Sequence, residues 1–74
     1  MEITLKGKHN TEKTVACYLV MDSYDKKYKI PNTYRAYVYE SENGCEWKSS
    51  HKSQPYTDRK KAEQAYSRFC RKYI

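Results

Sequence analysis

The strongest constraint on the fold lies near the C-terminus. Ala62, Ala65, Tyr66, Phe69, Cys70 and Tyr73 recur at i, i+3, i+4, i+7, i+8 and i+11. That spacing is one face of an α-helix and predicts a helix over about 58–73. An apolar stripe of this kind must be laid against another element. No second helix is legible in the chain, so the partner has to be a sheet. Asp58 is placed to cap the helix, with Thr57 as the alternative. Arg68, Arg71 and Lys72 lie off the stripe near the end, where positive charge suits the helix dipole. Arg59, Lys60 and Lys61 fall in the first turn, where they oppose it at about a few tenths of a kcal/mol each. Such a local misfit hints that these cations serve a partner.

The rest of the sequence supplies strands. Residues 14–22 are the most apolar stretch and are rich in β-branched and aromatic residues. Residues 33–41 (TYRAYVYE at their start) read as a second strand. A short strand is expected over about 2–6, and another over about 45–49 that passes through Trp47. Gly7-Lys8-His9-Asn10 reads as a turn. Asn43-Gly44 is a pair that favours a tight hairpin turn. The polar stretch 22–32 reads as a loop and 50–55 as a connector. The expected fold is α+β: an antiparallel sheet of three to four strands with one C-terminal helix on one face, a single domain over 1–74. Period-two alternation puts Val15, Cys17, Leu19, Met21, Ala36 and Val38 toward the helix. Tyr18, Arg35, Tyr37, Tyr39 and Lys48 then show on the opposite face.

The core such a chain can build is small. Chains of this length bury only about 60% of their unfolded surface, which leaves no room for a deep enclosed site. Leu, Ile, Val and Phe number nine of 74 residues, below the roughly 20% at which disorder becomes a concern. Nine tyrosines and Trp47 offset this, since a ring buries about 150–250 Å². A partly aromatic core is therefore expected.

Charge is segregated. Residues 1–46 carry seven basic and seven acidic side chains, and residues 47–74 carry eight basic and two acidic. The whole formal charge of +6 thus sits in the last 28 residues. The asymmetry points to a polyanionic or acidic partner. A solvated basic helix that keeps a small protein dispersed has the same signature.

The chemistry that can be excluded is broad. Only Gly7 and Gly44 are available, too few for a phosphate-binding loop. No carboxylate pair stands in an apolar setting that would raise a pKa, and nothing orients Cys45 and His51 as a nucleophile pair. Cys17, Cys45, Cys70, His9 and His51 lack the paired spacing of a zinc site. No enzyme activity, metal or cofactor is expected. Three widely spaced cysteines and no signal-peptide layout at residues 1–6 predict a reducing cytoplasm, the host's if the chain is viral. No apolar run approaches the ~18 residues of a membrane span.

The stretch from Tyr34 to Phe69 resembles the arm-type (AP2-like) N-terminal DNA-binding domain of tyrosine-recombinase integrases. The matching residues are Tyr34-Arg35-Ala36-Tyr37-Val38, Asn43-Gly44, Tyr56, Asp58 at the usual Thr/Ser cap, Arg59-Lys60-Lys61 and Ala62. The resemblance implies a three-stranded sheet laid into the major groove with the helix packed behind, and Arg35, Tyr37 and Lys48 facing DNA. Lys60-Lys61-Ala62 is also similar to the Lys-Lys-x-Ala helix of double-stranded RNA-binding domains, whose first helix has no counterpart here.

These features converge on a small basic nucleic-acid-binding module, with double-stranded DNA favoured. Arg35, Tyr37 and Tyr39 would make base or groove contacts. Lys48, Lys52, Arg59, Lys60, Lys61 and Arg68 would meet phosphates. The alternative is a phage- or mobile-element-encoded inhibitor of host nucleic-acid machinery, of the anti-CRISPR kind. It would bind an acidic or nucleic-acid-binding protein through the same tyrosines. A third reading is self-association through Thr33–Glu40 or the first strand, if either is a sheet edge.

Overall fold

The computed structural model describes residues 2–23 and 31–74. Four strands, β1 (Glu2–His9), β2 (Val15–Asp22), β3 (Thr33–Glu40) and β4 (Lys48–Lys52), precede one helix, α1 (Arg59–Tyr73). The strands form one antiparallel sheet in the order β1-β2-β3-β4, and α1 packs on β2 and β3. The expected α+β architecture is what the chain adopts. Residues 24–30, most of the expected loop over 22–32, lie outside the described residues. No helix among the described residues is long and apolar enough to cross a membrane.

Asp58 caps α1 as expected, its carboxylate accepting from the Lys60 amide at 2.9 Å. The helix lays Ala62 and Ala65, both buried, over Cys17, Leu19, Ala36 and Val38, all fully buried on the facing side of β2 and β3. The expected aromatic core is corrected here. No ring belongs to the fully buried set among the described residues. Alanines at the contact let the helix approach closely, so Tyr66, Phe69 and Tyr73 flank the contact half-buried. Tyr73 stacks on His51 of β4, with ring centroids 4.6 Å apart.

Three boundaries differ from the sequence reading. The residues 7–10 do not form the turn: Gly7, Lys8 and His9 continue β1. The chain reverses from Asn10 onward, where the Asn10 side-chain oxygen accepts from the amides of Thr14 (2.8 Å) and Val15 (3.1 Å). Lys13 takes a positive φ of 57° there.

The second difference is the Asn43-Gly44 loop. Gly44 does adopt φ +77°, but the turn is not a tight two-residue hairpin. Asn43 Oδ1 accepts from the amides of Cys45 (2.9 Å) and Glu46 (3.1 Å), and Ser41 Oγ accepts from Gly44 (2.8 Å). These side-chain bonds replace the ladder that a tight turn would start. The return strand therefore begins at Lys48, and Trp47 stands outside it, 39% exposed. Third, the connector after β4 stays on the sheet. Ser53 and Tyr56 bond the backbone of Ala36 and Tyr34, respectively, on β3.

Beneath the helix, Cys17 and Cys70 face each other with Tyr66 beside them. Burial pushes the Cys17 thiol up from 9.0 to about 12, and the neighbouring Cys70 adds to it. Burial likewise pushes Tyr66 up from 10.0 to about 12, again with Cys70 contributing. Both groups keep their protons in the folded chain at a pH where the unfolded chain has lost them. The stability they contribute is complete below about pH 9 and falls as pH rises toward about 12. Urea midpoints should decline across that window, and less steeply in Cys17→Ala. Identical slopes for the two proteins would contradict this assignment.

Candidate functional site

The sheet face turned away from α1 is built by register. Tyr18 stands opposite Gly7 on β1 and Tyr37 on β3. Tyr37 in turn stands opposite Lys52 on β4, and Ala16 opposite Tyr39. The three rings pack together at the centre of this face. Tyr18 and Tyr39 meet edge to face with centroids 5.7 Å apart, and Tyr37 and Tyr39 lie 6.0 Å apart at a tilt of 33°. All three are half-buried. The Tyr18–Tyr39 contact crosses from β2 to β3 and is worth about 0.2–1 kcal/mol, while Tyr37 and Tyr39 are neighbours along β3.

Arg35 lies further along β3 on the same face, beside a hollow of about 240 Å³ lined by Glu2, Val20, Asp22, Thr33, Tyr37 and Pro55. Its Nε is buried and holds no hydrogen bond among the described residues. Formal charge on this face is balanced among the described residues, with Arg35 and Lys52 set against Glu2 and Asp22.

The nine residues expected to meet a partner lie on two sides of the sheet. Arg35, Tyr37, Tyr39 and Lys52 share the outer face. Lys48 is a correction. It pairs with Glu40 rather than Tyr39, so it points to the helix side of the sheet. A later strand start changes which residue opposes Tyr39, and in a β-strand one step exchanges the faces. A bulge at Ser50 restores the alternation, so that Lys52 reaches the outer face. Lys48 also sits among carboxylates, in a pocket of about 430 Å³ lined by Glu40, Glu42 and Glu46, and adds nothing to a basic surface.

Arg59, Lys60, Lys61 and Arg68 are exposed on α1, behind the sheet. Arg59 is engaged locally, its Nε 3.3 Å from the Glu63 carboxylate one turn on. The possible self-association edge at Thr33–Glu40 is likewise corrected. β3 is an interior strand with β2 on one side and β4 on the other, and the edges are β1 and β4.

Two contributors were missed in the sequence. Tyr18 appeared there only as a residue of the outer face, although it is the ring that ties Tyr39 to β1. Lys6 is legible in the sequence only as the end of a short strand, yet its Nζ lies 3.4 Å from Glu63 of α1. Only the β1–β2 register, with its irregularity between Thr4 and Lys6, places it there. No protein-family model matches the chain, no curated protein matches it, and no solved structure matches it.

Proposed function

We propose that this chain is a small nucleic-acid-binding module, with double-stranded DNA as the favoured target, and that the outer sheet face meets the nucleic acid. The observation that carries the reading is the cluster of Tyr18, Tyr37 and Tyr39 on one face with Arg35 and Lys52 beside it. A major groove admits two strands, so β3 and one neighbour can enter it while the rest of the sheet lies over the backbone. Fixed rings offer hydroxyl and apolar contacts to sugars and base edges in the groove, and the two cations meet base edges or phosphates. The resemblance over Tyr34 to Phe69 carries the same expectation for Arg35 and Tyr37, while its third DNA-facing residue, Lys48, lies on the other side of the sheet.

Titration of a labelled duplex at two salt concentrations tests this. Affinity should fall with salt at a log–log slope of about −0.9 per neutralised phosphate. Tyr37→Ala removes a ring from the centre of that face and should weaken duplex binding. No binding at low salt would remove the reading.

A protein partner is the second reading, as an inhibitor of host nucleic-acid machinery. The balanced charge of the outer face favours it, because Tyr and Arg in a neutral setting are what protein hot spots use. A stoichiometric protein partner that survives nuclease treatment, together with absent duplex binding, would select it.

A further inference from the structure

We infer that the trough between β1 and the exposed flank of α1 is a second site, which binds the phosphate backbone of nucleic acid. It is formed by Lys6 from β1 and by Lys60, Glu63, Gln64, Ser67, Arg68 and Arg71 from α1, around an open volume of about 570 Å³. The helix residues fall at i, i+3, i+4, i+7, i+8 and i+11 from Lys60. They form a flank of their own, beside the stripe that packs on the sheet. At 1.5 Å per residue, Lys60 to Arg71 spans about 16 Å.

The trough carries four cations and one carboxylate. Glu63 is already engaged, its Oε1 3.4 Å from Lys6 Nζ and 3.3 Å from Arg59 Nε. Lys6, before the other contributions, holds the Glu63 carboxyl below its ordinary range. Lys60, Arg68 and Arg71 make no ion pair among the described residues. A second, independent sign is the helix's first turn, which holds no acidic residue, although carboxylates there would suit the dipole. Of the trough's cations, Lys60 thus stands where the helix dipole disfavours positive charge.

The lining selects between polyanions. Apart from the cations and Glu63 it offers Gln64 and Ser67, and no aromatic or aliphatic residue. A protein interface needs an apolar centre. Phosphate oxygens need cations and hydrogen-bond donors alone. The choice of nucleic acid as the polyanion rests on the proposed function above; the location of the site does not. Lys6 and Arg71 belong to the site although neither is on the tyrosine face, and the two sites lie on opposite sides of the sheet.

The test uses the full chain and a mixed-sequence duplex of about 20 base pairs, at about 50 and 200 mM salt. In the triple variant Lys60→Gln, Arg68→Gln, Arg71→Gln the log–log slope should shrink by about 2.7, at about 0.9 per lost contact. Over the fourfold rise in salt the wild type then loses about 40-fold more affinity than the variant. Glu63→Gln removes the one carboxylate of the trough and should tighten binding at low salt, a gain that a folding defect cannot mimic. Circular dichroism verifies that the variants keep their helix.

An unchanged slope and affinity in the triple variant would overturn the inference, as would absence of duplex binding by the wild type at the lower salt. Failure of the sheet-face reading looks different. There Arg35→Ala and Tyr37→Ala bind as the wild type does, while the triple variant does not.

Discussion

Leu19→Ala should remove about 2–5 kcal/mol of folding stability, the range for a fully buried leucine cut to alanine. For 74 residues the total is about 4–11 kcal/mol, at 0.05–0.15 kcal/mol per residue. One substitution therefore takes a large share. Leu19 is fully buried and heads the largest enclosed side chains, with Val38 and Cys17. It stands between Lys6 on β1 and Ala36 on β3, on the face that α1 covers. Its neighbours cannot easily fill the space. Ala36, Ala62 and Ala65 carry only a methyl group each, and the nearby rings are held in their own contacts. In a domain of this size each kcal/mol lowers Tm by about 4–8 °C, so a drop of at least about 8 °C is expected. Urea and thermal unfolding measure it. A loss below about 1 kcal/mol would show that the half-buried rings, and not Leu19, provide the packing.

The parts of the fold that were legible are those whose signal is local and periodic. The helix stripe from Ala62 to Tyr73 needs only its own spacing, and so does the alternation in Val15–Asp22 and Thr33–Glu40. Asp58 was legible for the same reason, since a cap acts within one turn. The parts that were not legible depend on register. Asn43-Gly44 correctly marked a position for positive φ, yet nothing in those two residues tells whether the ladder starts at Cys45 or at Lys48. The answer lies in the Asn43 and Ser41 side chains, which bond the loop's own amides. That shift carried Lys48 to the other face.

The candidate sites divide in the same way. The tyrosine face was read from alternation within single strands, and Tyr18, Arg35, Tyr37 and Tyr39 stand where it placed them. The cationic trough joins a residue of β1 to residues of α1 more than fifty positions away. Charge counting found the excess after residue 46 but not Lys6, which belongs to the neutral part of the sequence. The aromatic content misled in one respect. Rings compensate for few aliphatic residues by covering the core's rim and the outer face, while the layer contact itself is made by small residues.

Gly7→Val should destabilise the fold and break up the tyrosine cluster together. Gly7 is in the edge strand opposite Tyr18, and the Tyr18 ring lies across it. A Cβ at position 7 would come within 2.9 Å of both Cδ1 and Cε1 of that ring. Glycine is a weak strand residue, and replacing it recovers about 0.5–1 kcal/mol of backbone entropy. Overpacking costs about 1–3 kcal/mol, so the net effect is a loss. The ring cannot yield without cost, because its edge contact with Tyr39 at 5.7 Å holds it from the other side. Displacing Tyr18 therefore moves Tyr39 and, through it, Tyr37, and the face proposed to meet nucleic acid loses its shape. A second substitution isolates the cause. Tyr18→Ala removes the ring that valine strikes, so in the double variant Gly7→Val should cost nothing or stabilise. The interaction between the two sites should be about 0.5–3 kcal/mol, read from urea unfolding of the four proteins. Additive effects, or a Gly7→Val variant at least as stable as the wild type, would show that the ring does not depend on the glycine.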